Sequence, residues 1–386
     1  MVLVTREGAI ALGDVAVNCG VEVCACYPIT PTTHLTEELN KRYADGEIPE
    51  YITVESEFAA ISALVGASAT GARTFTTTGG QGLLLMHEVL HSAAGMRLPI
   101  VMVVGNRAVS SPLNIWNDEQ DTVSQRDTGW IQIYCKNNQE AADSLPQAFK
   151  IAETVMLPTM VCIDGHFLTH AVEQIDLIPV QELKKFLPKF RHPLKLDPEN
   201  PVSVGVYANP AHYQTFREDL VKDMEESTKV INDVGSEFGK MFGRSYGLVN
   251  AYKCKDADRV LVGLGSVMDN VFAVVDELRA KGEKVGGLHL RVFRPFPAKE
   301  LRKALEGKKV GMIERNLSIG ASAPVYTELM EAMSGSKTII SSFFGGLGGR
   351  GIKRAEIRAL FGKLKGKKPV KEWIGKEYTA STGAGC

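Results

Sequence analysis

The chain has 386 residues, enough for two or three domains that each bury a core of their own. Its 44% hydrophobic and 23% charged residues and its net charge of -1 are typical of a globular protein, and they give no electrostatic basis for binding nucleic acid or an anionic membrane. Because no apolar run reaches about 18 residues and no secretory leader pattern opens the sequence, we expect a cytoplasmic protein without membrane insertion.

The seven cysteines lie mostly within apolar runs, which is typical of reduced thiols in a reducing compartment. No disulfide framework is predicted. Iron–sulfur clusters require several closely spaced cysteines, and the only close pair in the sequence is Cys24 and Cys26, with one residue between them. We therefore expect no iron–sulfur cluster on this chain.

The first half of the chain alternates predicted helices and strands, a pattern that indicates an α/β domain with a parallel sheet. Helices are predicted at residues 5–18, with Thr5 as the N-cap, and at 36–43, 58–69, 83–94 and 139–155. Strands are predicted at residues 21–26, 51–54, 74–78, 99–104, 131–134 and 159–163.

A proline-rich loop follows the first of these strands. Pro28 and Pro31 restrict the backbone between them to an extended form, so the loop should present Thr30 in a fixed position. Open α/β sheets bind ligands at the carboxyl ends of their strands, which makes Thr30 a candidate site residue. A proline-rich turn that only closes the strand is the alternative.

His87, Glu88 and His91 match the H-E-x-x-H zinc signature, in which two histidines one helical turn apart bind the metal and the glutamate activates water. So short a pattern also arises by chance, and no third ligand follows at the spacings of the metalloproteases. We expect both histidines to be packing residues and no metal site in this chain, with a zinc hydrolase as the alternative.

Gly79, Gly80 and Gly82 stand between a predicted strand and a predicted helix. They fit neither the dinucleotide fingerprint nor the phosphate-binding P-loop, so we predict a tight turn. Residues 106–129 then show no regular period, which predicts a long ordered loop. Arg107 stands at its start, where a guanidinium could hold a carboxylate through two hydrogen bonds, and a solvated arginine is the alternative.

The second half begins with an irregular connector, because six prolines lie between residues 178 and 210. Residues 212–252 predict one or two long helices, interrupted between Gly235 and Gly247. The alternation then restarts, with strands predicted at 260–264, 285–292, 309–314 and 338–343 and helices at 269–280, 298–306, 321–333 and 353–364. The glycine-rich turn at 345–351 could bind an anion or form an exposed flexible loop.

The fold class that follows is α/β, with two parallel-sheet domains. Its expected divisions are a first domain at residues 1–177, a connector with helices at 178–257, a second domain at 258–365 and a basic, solvated tail at 366–386.

Several motifs in this order resemble one known family. They are Y-P-I-T-P at 27–31, V-E-S-E at 54–57, M-H-E-V-L at 86–90, G-N-R-A at 105–108, N-I-W-N-D-E-Q-D-T at 114–122, S-Q-R-D-T-G-W at 124–130 and F-R-P-F-P at 293–297. Together they resemble the alpha subunit of pyruvate:ferredoxin oxidoreductase, in the 2-oxoacid:ferredoxin oxidoreductase family. The match is collinear over roughly residues 5–365.

The resemblance implies a pyrimidine-binding domain for thiamine diphosphate, followed by a domain similar to the carboxyl-terminal domain of transketolase. It implies an oxidoreductase that oxidatively decarboxylates a 2-oxoacid with coenzyme A and passes electrons to ferredoxin. Pyruvate, converted to acetyl-CoA and CO2, is the expected substrate. Aryl, branched-chain and oxalate substrates are the alternatives, because such relatives share most of these motifs.

The resemblance also assigns site residues. Glu57 is expected to contact the aminopyrimidine ring and to activate the cofactor, with Tyr27, Pro28 and Ile29 beside it in the cofactor site. Thr30 and Arg107 are expected to bind the 2-oxoacid. Two departures from the family pattern, Cys26 and the pair Gly79-Gly80, leave the choice of substrate open.

In this family the remaining parts lie on other chains. The implied partners are a beta subunit that binds the diphosphate and Mg²⁺, a gamma subunit and a ferredoxin-like subunit with [4Fe-4S] clusters, with ferredoxin and coenzyme A as further partners. The sequence agrees, since it lacks both a G-D-G diphosphate motif and the cysteine spacings of clusters. We expect this chain to be inactive alone and to work in a dimer of heteromers.

Overall fold

In the computed structural model, which describes residues 2–375, the chain forms two mainly parallel β-sheets flanked by helices. The strands are β1 (Val2–Glu7), β2 (Val23–Cys26), β3 (Glu50–Thr53), β4 (Thr74–Thr78), β5 (Val101–Asn106), β6 (Ile131–Tyr134), β7 (Thr159–Asp164), β8 (Val172–Leu177), β9 (Val249–Tyr252), β10 (Arg259–Gly263), β11 (Val285–Leu290), β12 (Val292–Arg294), β13 (Lys309–Glu314), β14 (Ile339–Phe344) and β15 (Lys371–Trp373).

The helices of the described residues cover both faces of the two sheets. They are α1 (Gly8–Asn18), α2 (Thr33–Ala44), α3 (Glu57–Ala69), α4 (Gln81–Leu85), α5 (His87–Gly95), α6 (Gln120–Val123), α7 (Asn138–Val155), α8 (Val180–Phe186), α9 (Pro210–Phe242), α10 (Val267–Arg279), α11 (Ala298–Leu305), α12 (Pro324–Ala332) and α13 (Arg354–Lys363). None of the helices between residues 2 and 375 is long and apolar enough to cross a membrane.

The first sheet has seven strands in the order β12-β6-β7-β5-β4-β2-β3. All neighbours are parallel except β12, which is antiparallel to β6. The chain runs from β2 out to β3 and then returns to β4 on the other side of β2, so the strand order reverses there. In open parallel sheets such a reversal opens a crevice at the carboxyl ends of the strands, and this is where ligands bind.

Local sequence explains why these elements form. Every residue of β4 and β5 is buried, as expected for strands that are covered by helices on both faces. Helix α3 begins where the Ser56 hydroxyl accepts a hydrogen bond from the Ala59 N–H at 3.2 Å, and its alanines allow close packing on the sheet. The cap fixes the point at which β3 turns into α3.

The second sheet has six strands in the order β15-β14-β13-β10-β11-β9, all parallel except β9. Helices α10 and α13 pack on one face around Val271, Phe343 and Ile357. The predicted fold class, two parallel-sheet α/β domains, is confirmed by this architecture. The exact domain boundaries at residues 177, 257 and 365 stay a proposal.

The predicted helix at residues 5–18 is wrong at its start. Residues Val2–Glu7 form β1, which pairs antiparallel with β8 from Val2 opposite Leu177 to Glu7 opposite Val172, and the helix begins at Gly8. Thr5 is therefore a strand residue and not an N-cap. The partner strand lies about 170 residues away in sequence, beyond the reach of a local pattern.

Three other predictions in the second half need correction. Helix α9 runs through Gly235 without a break and ends at Phe242, inside the predicted interruption. The missing side chain of Gly235 lets the backbone of Tyr246 pack against the helix, since an added Cβ would lie 1.6 Å from the Tyr246 carbonyl oxygen. The single strand predicted at 285–292 divides into β11 and β12, which belong to different sheets. The predicted solvated tail contains β15, which pairs with β14, while residues 376–386 lie outside the described part of the chain.

A buried ion cluster joins the two sheets. Arg315, just after β13, donates from Nη1 to Asp164 Oδ2 at 2.6 Å and from Nη2 to Glu119 Oε1 at 2.5 Å. All three side chains are buried. Burial raises the pKa of Glu119 to about 7, although the Arg315 charge opposes this shift. Removing one partner would leave an uncompensated buried charge, so the cluster fixes how the two sheets sit together.

Candidate active site at the carboxyl edge of the first sheet

The three main residues that the sequence singles out lie along the same edge of the first sheet. Thr30 lies in the loop after β2, Glu57 is the first residue of α3 just beyond β3, and Arg107 follows β5 directly. Since β2, β3, β4 and β5 are parallel neighbours, their carboxyl ends line the crevice at the strand reversal.

Arg107 contacts the loop that carries Thr30. Its side chain is only 7% exposed, and Nη1 donates a hydrogen bond to the Thr30 carbonyl oxygen at 3.1 Å. Nε donates to the Asn114 carbonyl oxygen at 3.2 Å. A guanidinium has more N–H donors than these two contacts use, so it can still bind an anionic ligand. Burial lowers the pKa of Arg107, and the carboxylates of Asp121 and Glu57 oppose this shift.

Asp121 was not singled out by any sequence pattern, yet it lies among the residues of this site. It is fully buried, and its carboxylate accepts from the Gly80 N–H at 2.8 Å, the Arg107 N–H at 2.9 Å and the Asn106 amide at 2.9 Å. Burial raises its pKa to about 7, against the effect of these three donors. Asp121 therefore ties the turn after β4 to the end of β5. Asp121 lies in a segment without a regular spacing of apolar residues, so no sequence pattern indicated this role.

The glycines after β4 form the tight turn that their sequence predicted. Gly80 has φ 54°, and an added Cβ would lie 2.9 Å from Cδ of Arg107. Gly79 lies closer still to its neighbour, since a Cβ there would lie 2.2 Å from the Gly105 carbonyl oxygen. The turn therefore needs glycine so that Arg107 can pack against it.

Glu57, at the start of α3, is a buried residue that is only 6% exposed. A Cβ added to Gly82 would lie 2.5 Å from Glu57 Oε1 and 2.6 Å from Thr78 Oγ1. The two oxygens therefore lie next to Gly82, and the lack of a side chain at Gly82 keeps the space beside them open. Within residues 2–375, no donor forms a hydrogen bond to the Glu57 carboxylate, and Thr78 Oγ1 is buried without a partner. Both groups therefore keep free hydrogen-bonding capacity.

The rest of the predicted cofactor loop lies at the surface of the crevice. Tyr27 is 37% exposed, Pro28 is exposed, and Ile29 is half-buried. The loop is anchored where the Thr32 hydroxyl donates to the Ile29 carbonyl oxygen at 3.1 Å. Beneath it, Cys26 is buried, and burial raises the pKa of its thiol to about 11, so it is neutral at pH 7.

The H-E-x-x-H residues lie on α5, away from these loops. His87 Nδ1 lies 2.5 Å from Gln125 Oε1, and the rings of His87 and His91 meet edge to face at 5.0 Å. Among the residues that the structure describes, no third histidine, cysteine or carboxylate joins this pair at ligand distance. The observed contacts are packing and hydrogen bonding, and the expectation that these histidines hold no metal stays a prediction.

Comparison with known proteins shows the family. Residues 14–236 match the thiamine-diphosphate-binding domain of pyruvate flavodoxin/ferredoxin oxidoreductase, and residues 257–357 match core domain II of pyruvate:ferredoxin oxidoreductase. The chain belongs to the 2-oxoacid:ferredoxin oxidoreductase family. The resemblance noted in the sequence is confirmed, and members of this family are oxidoreductases.

Two relatives illustrate the match. The chain is 44% identical over 379 residues to pyruvate synthase subunit PorA of Methanothermobacter thermautotrophicus, which covers 97% of this chain and 98% of the relative. It is 45% identical over 366 residues to ketoisovalerate oxidoreductase subunit VorA of Pyrococcus horikoshii, and this alignment covers 93% of this chain and 93% of the relative. Relatives with different substrates are thus equally similar to this 2-oxoacid:ferredoxin oxidoreductase chain.

Solved structures agree on the fold. A 2-oxoglutarate:ferredoxin oxidoreductase from Magnetococcus marinus, with 2-oxoglutarate, coenzyme A and succinyl-CoA bound, has a TM-score of 0.74 at 19% identity. The match covers 94% of this chain and 65% of the Magnetococcus marinus chain. A split-gene transketolase, an inactive beta4 tetramer, has a TM-score of 0.54 at 10% identity and covers 94% of this chain and 98% of its own. At such identities the likeness concerns the fold alone.

The crevice residues fit the pyrimidine end of thiamine diphosphate. Glu57, a residue only 6% exposed, offers a carboxyl to which no described residue donates a hydrogen bond, and Thr78 offers a buried hydroxyl without a partner among the described residues. Gly82 leaves the space beside both of them free of a side chain. A ring that carries hydrogen-bonding nitrogens can satisfy such groups, whereas a purely apolar ligand would leave them unpaired.

Proposed function

We propose that this chain is the alpha subunit of a pyruvate:ferredoxin oxidoreductase, which converts pyruvate and coenzyme A to acetyl-CoA and CO2 and passes electrons to ferredoxin. The observation that carries the proposal is the convergence of Thr30, Glu57 and Arg107 on one crevice of a chain that belongs to this family. The relatives named PorA support pyruvate as the substrate.

Arg107 and Thr30 provide the 2-oxoacid site in this proposal. The guanidinium is buried and keeps N–H donors beyond its contacts to Thr30 and Asn114, so it can bind the substrate carboxylate. The Thr30 hydroxyl adds a hydrogen bond. Together these contacts should contribute about 2 to 4 kcal/mol.

Glu57 acts on the cofactor in this proposal. Thiamine diphosphate, when bound, supplies the nucleophilic carbon and the electron sink for decarboxylation. The Glu57 carboxyl, in a residue only 6% exposed, would hydrogen-bond to a ring nitrogen of the aminopyrimidine and would thereby hold the proton at that nitrogen. Tyr27, Pro28 and Ile29 are proposed to line the cofactor from the loop after β2.

The remaining parts are proposed to lie on partner subunits. A beta subunit binds the diphosphate and Mg²⁺, a gamma subunit and a ferredoxin-like subunit complete the complex, and [4Fe-4S] clusters carry the electrons. The six cysteines in the described residues are free and buried, and burial raises the pKa of the Cys24 and Cys162 thiols, which does not suit them as cluster ligands. The dimer of heteromers and the cytoplasmic location stay predictions.

A branched-chain 2-oxoacid is the second candidate substrate. The support is specific: VorA of Pyrococcus horikoshii, a ketoisovalerate oxidoreductase subunit, is 45% identical to this chain.

The test is to purify the native complex and to measure 2-oxoacid oxidation with coenzyme A and a viologen acceptor. Pyruvate should give the highest kcat/KM among pyruvate, 2-oxoisovalerate, an aryl 2-oxoacid and oxalate. A higher value for 2-oxoisovalerate would transfer the assignment to the branched-chain substrate. Absence of any coenzyme A-dependent 2-oxoacid oxidation would refute the proposed function itself.

A further inference from the structure

Three side chains from separate segments bring metal-ligating atoms together near the amino terminus. Glu7 ends β1, His34 lies in the first turn of α2, and His170 lies in the turn between β7 and β8. One ligand atom from each lies within 4.8 Å of the others, and all three residues are half-buried. In the part of the chain that the structure describes, no other group of three such donors comes as close.

We propose that Glu7, His34 and His170 form a binding site for a divalent d-block cation, with Zn²⁺ as the cation that tests it. Two imidazoles and one carboxylate are the donor set that zinc and its neighbours prefer, whereas Mg²⁺ and Ca²⁺ prefer oxygen ligands alone. Three protein ligands leave a coordination position open for water or a small ligand. This site departs from the sequence-based expectation that the chain holds no metal.

The distances allow coordination after small side-chain rotations. Ligand atoms lie about 2 Å from zinc, so two of them on one ion are at most about 4 Å apart. His34 Nδ1 and Glu7 Oε1 are already 2.7 Å apart, and the ring centroids of His34 and His170 are 5.1 Å apart. Binding would replace the hydrogen bond between His34 and Glu7 by two bonds to the metal.

The surroundings of His170 fix its ring for this role. Its Nδ1 lies 2.7 Å from Oγ1 of Thr169, and that oxygen also accepts a hydrogen bond from the His166 N–H at 2.9 Å. If Nδ1–H donates to Thr169, the lone pair of Nε2 is left for a metal, and metal-bound histidines are commonly held in this way by their other nitrogen. The His166 ring stacks on the His170 ring at 4.5 Å with an interplanar angle of 26°.

The alternative is a purely structural role, in which Glu7 and His34 form a hydrogen bond and His170 packs beside them. That arrangement needs no metal and predicts no zinc affinity. The two interpretations therefore differ in a quantity that can be measured without any assay of enzyme activity.

The experiment uses the full-length chain after chelator treatment, titrated with Zn²⁺ by isothermal calorimetry. The wild-type chain should bind one equivalent, and both His170→Ala and Glu7→Gln should weaken binding by more than about tenfold. Glu7→Gln nearly keeps the shape of the side chain, so it carries the test if His170→Ala disturbs folding by circular dichroism. Mg²⁺ should give no comparable binding.

His91→Ala is the matched control, because it removes a histidine from the H-E-x-x-H pair and leaves the proposed site intact. It should bind Zn²⁺ like the wild type. The proposal is overturned if the wild-type chain does not bind Zn²⁺, if Glu7→Gln and His170→Ala bind it as well as the wild type, or if His91→Ala alone loses it.

Discussion

At the scale of single residues, the crevice contains polar groups that have no hydrogen-bond partner among the described residues. The Glu57 carboxyl and the Thr78 hydroxyl lie side by side, and the described residues offer neither of them a hydrogen bond. A buried hydroxyl without a partner, such as that of Thr78, costs about 1–3 kcal/mol, so a structure that keeps it is expected to use it. Ligand binding is the proposed use.

Glu57→Gln tests the role of this carboxyl. Gln keeps the shape but cannot share a proton, so the variant should assemble normally while hydrogen exchange at the thiazolium C2 of the bound cofactor slows by about 10²-fold or more. NMR of the assembled complex measures this exchange. Glu55→Gln, a change at an exposed position two residues earlier, is the control and should exchange like the wild type. A wild-type rate in Glu57→Gln would reduce Glu57 to a charge at the helix start.

Arg107→Ala tests the proposed carboxylate contact. Loss of the guanidinium should lower kcat/KM for the 2-oxoacid by roughly two orders of magnitude, which corresponds to the 2 to 4 kcal/mol expected of the contacts. Steady-state kinetics of the complex check it. Arg97→Ala removes a surface arginine of the same domain that pairs with Asp223, and it should change kcat/KM little. A decrease of less than about threefold in Arg107→Ala would remove Arg107 from the site.

At the scale of elements, a glycine-rich segment of the second domain supports the arginine of the first. The Gly349 N–H donates to the Asn117 carbonyl oxygen at 2.6 Å, and Asn114 Nδ2 donates to the Gly348 carbonyl oxygen at 3.2 Å. Asn114 in turn accepts from Nε of Arg107. The segment predicted either to bind an anion or to be exposed and flexible is thus packed against the loop that positions Arg107.

Gly349→Ala should disturb this support. Gly349 has φ 83°, and an added Cβ would lie 2.4 Å from Cβ of Trp116. The left-handed backbone alone costs a residue with a side chain about 1–2 kcal/mol, so Tm should fall, and KM for the 2-oxoacid should rise because Arg107 loses its fixed position. Differential scanning fluorimetry and kinetics measure both.

Gly351→Ala is the control for this change, since no atom lies within 4 Å of its added Cβ and its φ is not in the left-handed region. It should leave Tm and KM unchanged. Equal effects of the two substitutions would show that contact with Trp116 is not the cause.

At the scale of the whole molecule, the two halves of the chain are joined by a shared strand and by a buried ion cluster. Strand β12 comes from the second half of the chain yet pairs with β6 of the first sheet, and Arg315 lies between Asp164 and Glu119. The position of the crevice therefore depends on contacts between the two halves of the chain. It lies at the carboxyl edge of the first sheet, and in our proposal the diphosphate end of the cofactor is bound by another subunit.

The assembly prediction follows from this. The purified chain should show no thiamine-dependent decarboxylation of a 2-oxoacid, and activity should return when the partner subunits are added. Decarboxylation by the purified chain alone, at a rate comparable to that of the complex, would refute the division of the site between subunits.

Glu314 gives the molecule a pH dependence of stability. It ends β13, burial raises its pKa to about 8, and Oε2 is buried without a partner in the described residues. Between pH 4.5, its ordinary pKa, and about pH 8 the unfolded chain loses a proton that the folded chain keeps. The free energy of unfolding should therefore fall as pH rises through this range.

Glu314→Gln removes this titration and resembles the neutral acid, so it should raise Tm at pH 8 and change it little at pH 5. Thermal unfolding at both values measures the effect. Glu306→Gln, at a half-exposed side chain, should shift Tm equally at the two pH values. A Glu314→Gln shift that is the same at both would contradict a neutral Glu314.

The sequence by itself determined the alternation of strands and helices, because the period of apolar residues and the capping residues act over a few positions. It also determined the family and the choice of Thr30, Glu57 and Arg107, whose motifs are contiguous. Ser56 at the start of α3 shows the local case: one hydroxyl and one N–H three residues on settle where the helix begins.

Only the tertiary structure decided which distant segments meet. The pairing of β1 with β8, the buried contacts of Asp121 and the approach of Glu7, His34 and His170 all join residues from different elements. No local pattern encodes such contacts, because they arise when packing of the whole sheet fixes register and loop position. The residues that complete the crevice, and those of the proposed metal site, were therefore visible only once the chain was folded.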